Sequence, residues 1–99
     1  MVCKKRRSEK TSNNGPYVIG RNYLIRTVTN YYTGKLLEVC DGELVLSEAA
    51  WVADTGRFSE ALKTGSLKEV EPYPDLVIVS RGAIVDVSRW DHDLPRGVK

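Results

Sequence analysis

The sequence predicts a mainly β protein: a small, strongly bent barrel of five strands with one short inserted helix at about residues 57–64. Short runs rich in β-branched and aromatic residues recur along the chain, separated by glycine, proline, asparagine and aspartate. One segment, beginning at Arg57, changes from the period of a strand to the period of a helix. Closure into a barrel is the expected arrangement, because it removes the exposed edges of so short a sheet.

A chain of 99 residues allows one domain at most. Residues 1–16 are expected to be a basic, disordered arm, residues 17–90 the barrel and residues 91–99 a polar tail. The arm has a net charge of +4 and the whole chain +2, so residues 17–99 carry −2. Attraction for a nucleic-acid backbone would therefore depend on the arm and on local arginines. Because so short a chain buries a thin core, we expect a homo-oligomer.

The first half of the region expected to fold, which begins at residue 17, is predicted to form strands. Residues 17–32 predict one or two strands, the clearer at Tyr23–Tyr32. A β-hairpin follows, with strands at Gly34–Cys40 and Glu43–Ser47. The dipeptide Asp41-Gly42 between them is typical of a two-residue type I′ turn, which needs positive φ angles.

The second half begins with the helix. Phe58, Ala61 and Leu62 share one helical face, and Gly65 is placed to end the helix in the left-handed conformation. The last strand runs over residues 76–87, where Gly82 indicates a bulge or a sharp bend.

Two motifs resemble the signature of Sm-like proteins, whose small barrel is SH3-like. They are Gly34-Lys-Leu paired with Asp41-Gly-Glu-Leu-Val-Leu, and Ile78-Val-Ser-Arg-Gly-Ala-Ile-Val. The resemblance implies a bent five-stranded barrel that assembles into rings. Val45 stands where such proteins carry the asparagine that reads uridine.

A second resemblance is to small phage-encoded proteins without a settled activity. It rests on Tyr23-Leu-Ile-Arg-Thr27, on Val45-Leu-Ser-Glu-Ala49 and on a short helix before the last strand. This resemblance implies a phage or prophage origin.

The sequence contains no recognisable set of catalytic residues. His92 is the sole histidine, and it lies in the polar tail between Asp91 and Asp93, without a nucleophile or a second strong metal ligand at a fixed spacing. We therefore expect no enzyme activity, no metal and no cofactor.

Two groups of residues are candidates for ligand binding. Trp51, Thr55 and Arg57 flank a glycine turn that leads into the helix, an arrangement suited to an anion, although the aromatic side chains could instead pack the helix onto the barrel. Arg81 and Gly82 lie at the expected bend. Arg81 could line the pore of a ring and contact phosphate or a base, or it could bond to carbonyl groups at the bend.

Two further features could contact nucleic acid. Tyrosines near arginines offer charged stacking surfaces for single strands, or else packing and interface residues: Tyr23, Tyr31 and Tyr32 near Arg21 and Arg26. The arm could add nonspecific contacts or serve as a solubilising tail; its basic run is Lys4, Lys5, Arg6 and Arg7.

These observations predict a non-enzymatic, homo-oligomeric binding module, most simply a ring, whose ligand is RNA or a nucleotide-like anion. One alternative is a self-assembling structural protein, for which the second resemblance implies a phage origin. Another is a phage protein that sequesters a small nucleotide signal. Cys3 and Cys40 do not form a disulfide framework, and no apolar run is long enough to cross a bilayer. A reducing, cytoplasmic location without a membrane partner is therefore expected.

Overall fold

A computed structural model describes residues 15–99 and contains six strands, one α-helix and one 3-10 turn. The mainly β class and the single short helix are confirmed. The elements follow one another as β1 (Asn22–Thr27), β2 (Tyr31–Val39), β3 (Glu43–Asp54), α1 (Phe58–Thr64), β4 (Glu69–Pro72), β5 (Val77–Ser80), the 3-10 turn Arg81–Ala83 and β6 (Ile84–Arg89).

All strand pairs are antiparallel, and the sheet is open. Its order is β4-β3-β2-β1-β6, with β5 paired to the first half of β3 while β4 pairs with the second half. The prediction of a closed five-stranded barrel is therefore wrong. The 3-10 turn at Arg81–Ala83 carries the chain from β5 to β6, where it pairs with β1. Because that turn diverts the backbone, no ladder joins β5 to β6 within residues 15–99.

The strand predicted at Tyr23–Tyr32 is interrupted by a tight turn. Thr27 donates its backbone N–H to the Asn30 carbonyl over 2.8 Å and its hydroxyl to the same carbonyl over 2.9 Å. These bonds reverse the chain, so that β1 and β2 pair with each other. Local turn chemistry has overridden the β propensity of the run.

The hairpin between β2 and β3 is confirmed, but its turn type is not. Cys40 N–H donates to the Glu43 carbonyl over 2.8 Å, whereas neither Asp41 nor Gly42 has a positive φ angle, so the turn is not type I′. Arg81 binds this turn from the end of the neighbouring strand β5, where Ser80 is paired with Glu43. Its backbone N–H donates to the Gly42 carbonyl (3.0 Å) and its guanidinium to the Cys40 carbonyl (2.8 Å).

A bend divides β3 into the halves that pair with β5 and β4. Glu48 at this bend has a φ of 50°, and the register with β2 slips at the same place, opposite Gly34. A Cβ atom at Gly34 would lie 3.0 Å from the Leu46 Cβ and 3.2 Å from the Ala49 Cβ. A Cβ atom there would have to displace these neighbours by a few tenths of an ångström, so the close packing favours glycine where β2 crosses the bend.

Apolar side chains pack on both faces of the central strands. Because consecutive side chains of β1 point to opposite faces of the sheet, Tyr23 and Ile25 pack in one core and Leu24 in the other. The first core is completed by residues of β2, β3 and β5, and the second by residues of β3, α1 and β4 with Trp90. Val45 is fully buried.

The segment after β6 is held against the sheet rather than loosely attached. Trp90 is only 1% exposed and lies in the second core. Three further contacts follow along the polar tail predicted at residues 91–99. They join His92 Nε2 to the Leu62 carbonyl (2.8 Å), Arg96 to the Ala49 and Tyr73 carbonyls (3.0 and 2.9 Å), and Lys99 to Val70 through two backbone bonds (2.9 and 3.0 Å).

Cys40 lies just after β2. The other cysteine in the sequence, Cys3, lies outside the described residues, as do the basic side chains of the predicted arm.

Candidate functional site

A groove lies between β6 and the segment that precedes β1. Its volume is about 560 Å³, within the range of small-ligand sites. We call it the β6 groove. It is lined by Pro16, Tyr17, Arg21 and Tyr23 on one side and by Ile84, Val85, Asp86, Val87 and Arg89 on the other.

Backbone hydrogen bonds hold the wall that precedes β1. Val18 N–H donates to the Tyr23 hydroxyl over 3.0 Å, and Gly20 N–H donates to the Leu36 carbonyl over 2.7 Å. Leu36 N–H in turn donates to the Arg21 carbonyl over 2.9 Å. The wall is thereby fixed to β1 and β2, and Arg21 has a defined backbone position at the mouth of the groove.

Two tyrosine rings form the aromatic part of the groove. Tyr17 and Tyr23 meet edge to face, with ring centroids 5.9 Å apart and an interplanar angle of 84°. The Arg81 guanidinium carbon lies 5.8 Å from the centroid of the Tyr17 ring, within the range of a cation–π interaction. Tyr23 is buried in the first core, whereas Tyr17 is only partly buried, so Tyr17 is the ring that a ligand can reach.

The charge of the groove is positive. Asp86 is engaged by Arg26 in an exposed ion pair, whose hydrogen bond and negative charge raise the pKa of Arg26. Arg89 lies directly opposite Tyr23 in the β1–β6 ladder. Within residues 15–99, neither Arg21 nor Arg89 forms an ion pair. Two exposed guanidinium groups at the groove thus remain available to an anion.

Arg81 and Gly82 occupy the bend that the sequence predicted. Gly82 lies within the 3-10 turn between β5 and β6. The Arg81 guanidinium donates to the Cys40 carbonyl and also faces Tyr17, so it bonds to a carbonyl of the hairpin turn and not to one at the bend. Its contact with phosphate stays a prediction.

The other predicted ligand group lies at the far end of β3. Thr55 and Arg57 line a separate cavity of about 380 Å³ that Trp51 does not line. The Thr55 hydroxyl donates to the Gly56 carbonyl, and Gly56 N–H donates to Asp54. Helix α1 has only seven residues, and the aspartate and threonine near its start are used in these local bonds. This cavity therefore offers less for an anion than the β6 groove.

The tyrosines of β2 are engaged in packing. Tyr32 stacks with Tyr73 at 6.2 Å between centroids, and Tyr31 contacts Phe58 at 5.9 Å. Burial raises the pKa of Tyr73, and the neighbouring Tyr32 adds to the effect. Trp51 is paired with Tyr32 across the β2–β3 ladder and is 37% exposed. Tyr32 and Tyr73 pack against the first core and Tyr31 against the second, and none of these rings lines the β6 groove.

His92 has a structural role. Its Nε2–H donates to the Leu62 carbonyl in the last turn of α1, and its ring contacts Trp90 edge to face at 4.9 Å. Among residues 15–99, no group of three or more histidine, cysteine, aspartate or glutamate side chains is arranged to hold a metal ion.

Tyr17 and Arg89 are the groove residues that the sequence reasoning did not single out. Tyr17 follows the proline that ends the arm, and Arg89 ends the last strand, positions that carry no local signal of a site. They approach each other only because β6 pairs with β1, about 60 residues earlier in the chain.

No helix within residues 15–99 has the length and apolar character to cross a bilayer. Comparison of the chain with protein-family models and with curated proteins finds no significant match.

Proposed function

We propose that the protein is a non-enzymatic binding module and that its β6 groove binds RNA or a nucleotide-like anion. The observation that carries this proposal is the combination of Arg21 and Arg89, which form no ion pair within residues 15–99, with the reachable ring of Tyr17. Guanidinium groups bind phosphate oxygens in a bidentate manner, and tyrosine rings stack on bases. A groove that offers both fits a nucleotide better than it fits a simple anion.

Arg81 supports this site from outside the groove. It holds the hairpin turn through the Cys40 carbonyl and lies over Tyr17, so we assign it a positioning role for that ring. The basic arm adds nonspecific affinity in this proposal, because each lysine or arginine near the backbone of the ligand releases counterions.

The test is binding of a labelled single-stranded RNA to the double variant Arg21→Gln/Arg89→Gln, measured by fluorescence anisotropy over a range of salt concentrations. Glutamine is shorter than arginine, but it keeps a polar side chain with N–H donors and removes the charge. Loss of two phosphate contacts should reduce the slope of log K against log salt by about 1.4, with affinity at low salt falling about tenfold or more.

Arg57→Gln is the matched control, because Arg57 is also exposed but lies outside the β6 groove. It should leave both the affinity and the salt slope close to those of the unmodified chain. An unchanged double variant, or an equal loss in the control, would contradict the assignment of the groove.

A self-assembling structural role is the second candidate. The outer edge of β5 has no partner strand within residues 15–99, and Ile78 on that strand is 45% exposed. Unpaired edges with apolar side chains favour pairing with another chain. Native mass spectrometry under gentle conditions separates the candidates. A ring or larger assembly without ligand supports the structural role, whereas a retained oligonucleotide or small nucleotide supports binding or sequestration of a signal.

A further inference from the structure

The β6 groove lies beside an edge strand of the sheet, because within residues 15–99 β6 pairs only with β1. Its lining includes Ile84, Val85, Asp86 and Val87. The register between β1 and β6 shifts between Arg26 and Thr27 and leaves Val85 without a partner, so the regular alternation of side chains is interrupted there. On the side of β6 that faces away from β1, the main chain itself is unpaired within the described residues.

The register shows which main-chain groups face that edge. Trp90 N–H donates to the Asn22 carbonyl over 2.9 Å, so the backbone groups of Trp90 point towards β1. In an antiparallel ladder every second residue has the same orientation. Val87 and Arg89 therefore direct their N–H and C=O groups away from β1, into the open edge. No strand within residues 15–99 pairs with that edge.

We infer that the groove recognises an unpaired nucleobase through the main chain of Val87. This inference rests on the proposed function. Val87 N–H donates to an acceptor on the Watson–Crick edge of the base, and the Val87 carbonyl accepts from the neighbouring donor. The base lies beside the ring of Tyr17, and its phosphate is bound by Arg21 and Arg89.

The ligand class follows from this arrangement. A main-chain N–H and C=O offer one donor and one acceptor, whatever the side chain. Unpaired bases present both kinds of group on the edge that a duplex already uses, so the groove selects single strands over duplexes. The same backbone pair accommodates different bases, and recognition therefore depends on whether a base is unpaired more than on its identity.

Charge favours a nucleotide over another strand at this edge. A second copy of the chain carries the same exposed arginines along this strand, so pairing there brings like charges together. An acidic peptide satisfies the charge, but it does not use the ring of Tyr17 as a base does. We therefore assign the edge to a nucleotide and include the peptide in the test.

The experiment compares three labelled RNAs with the full chain: an eight-nucleotide oligouridine, the same oligomer with every uracil methylated at N3, and the oligouridine annealed to its complement. N3-methylation removes the donor and blocks the Watson–Crick edge but leaves the phosphates unchanged. Both the methylated and the duplex RNA should bind about tenfold or more weakly. The amide resonance of Val87 in an NMR titration should shift with the unmodified oligomer and much less with the methylated one.

The outcomes distinguish the inference from the proposed function. If all three RNAs bind equally and the double variant Arg21→Gln/Arg89→Gln loses this binding, recognition of the base by the main chain is overturned. The groove then remains a phosphate-binding site. No binding of any RNA, or binding that the double variant retains, overturns both. Tighter binding of an oligoglutamate peptide than of oligouridine, with the Val87 amide shifting, assigns the edge to a peptide and overturns the inference.

Discussion

Replacing Trp90 with alanine should lower the free energy of unfolding by about 3–5 kcal/mol, a large share of the stability of so small a protein. The indole is almost completely buried in the second core, and its Nε1–H donates to the Asp93 carbonyl over 3.2 Å. Truncation leaves a cavity and releases the polar segment from its buried anchor. Urea denaturation followed by circular dichroism measures the change.

Trp51→Ala is the matched control for this prediction. The same side chain is removed there, but Trp51 is 37% exposed, so less apolar surface is returned to water. We expect a cost of about 1 kcal/mol, close to the centre of the distribution for single substitutions. Equal costs at the two positions would show that the second core does not depend on Trp90.

Gly65→Ala should be the next most damaging substitution, with a cost of about 2–5 kcal/mol from left-handed strain and overpacking together. Gly65 ends α1 with a φ of 81°, and its N–H donates to the Ala61 carbonyl. A Cβ atom there would lie 2.8 Å from both the Cβ and the Cγ of His92. Because the His92 ring is itself bonded to the Leu62 carbonyl, it cannot move away without breaking that bond.

Gly56→Ala separates the two causes. Gly56 has a similar φ of 75°, but the nearest atom to its added Cβ would be the Lys68 Cβ at 3.8 Å. Gly56→Ala should therefore lower the free energy of unfolding by about 1–2 kcal/mol, the cost of the left-handed backbone conformation alone. In a His92→Gly background, which removes the Cβ as well as the ring, the cost of Gly65→Ala should fall towards that of Gly56→Ala, as a double-mutant cycle would show. Additive effects of Gly65→Ala and His92→Gly would exclude the contact as the cause.

Both predictions concern the segment that follows the candidate groove. Trp90 comes directly after Arg89, the last residue of β6, and its N–H closes the β1–β6 ladder on Asn22. The buried indole thereby fixes the end of the strand on which the groove is built. The groove thus has a rigid β6 wall, which favours precise contacts with a ligand.

Local patterns in the sequence identified several elements correctly. Helical spacing of Phe58, Ala61 and Leu62 predicted α1, and Gly65 does end it in the left-handed conformation. Apolar runs on either side of Asp41-Gly42 predicted the hairpin of β2 and β3. These features depend on the backbone torsion preferences and the side-chain periodicity of a few neighbouring residues. Both can be inferred directly from the sequence.

Features that join distant segments were predicted less well. The residues Asp41-Gly42 predict a type I′ turn, but the turn that forms has no positive φ angle at either residue. Arg81, about 40 residues later, donates to the carbonyl groups of this turn. Closure of the barrel was expected from the number of strands, whereas a 3-10 turn and the added strand β4 leave the sheet open. Neither outcome can be predicted from a short segment of the sequence.

The mainly β class, the inserted helix, the hairpin and the bend at Gly82 could all be predicted from the amino-acid sequence, because each follows from the conformational preferences of neighbouring residues. The open sheet and the meeting of Tyr17, Arg21 and Arg89 beside one edge strand are visible only in the folded molecule. Strand order and register depend on burying the two cores together. That free energy is shared among residues far apart in the chain, and no single segment contains it.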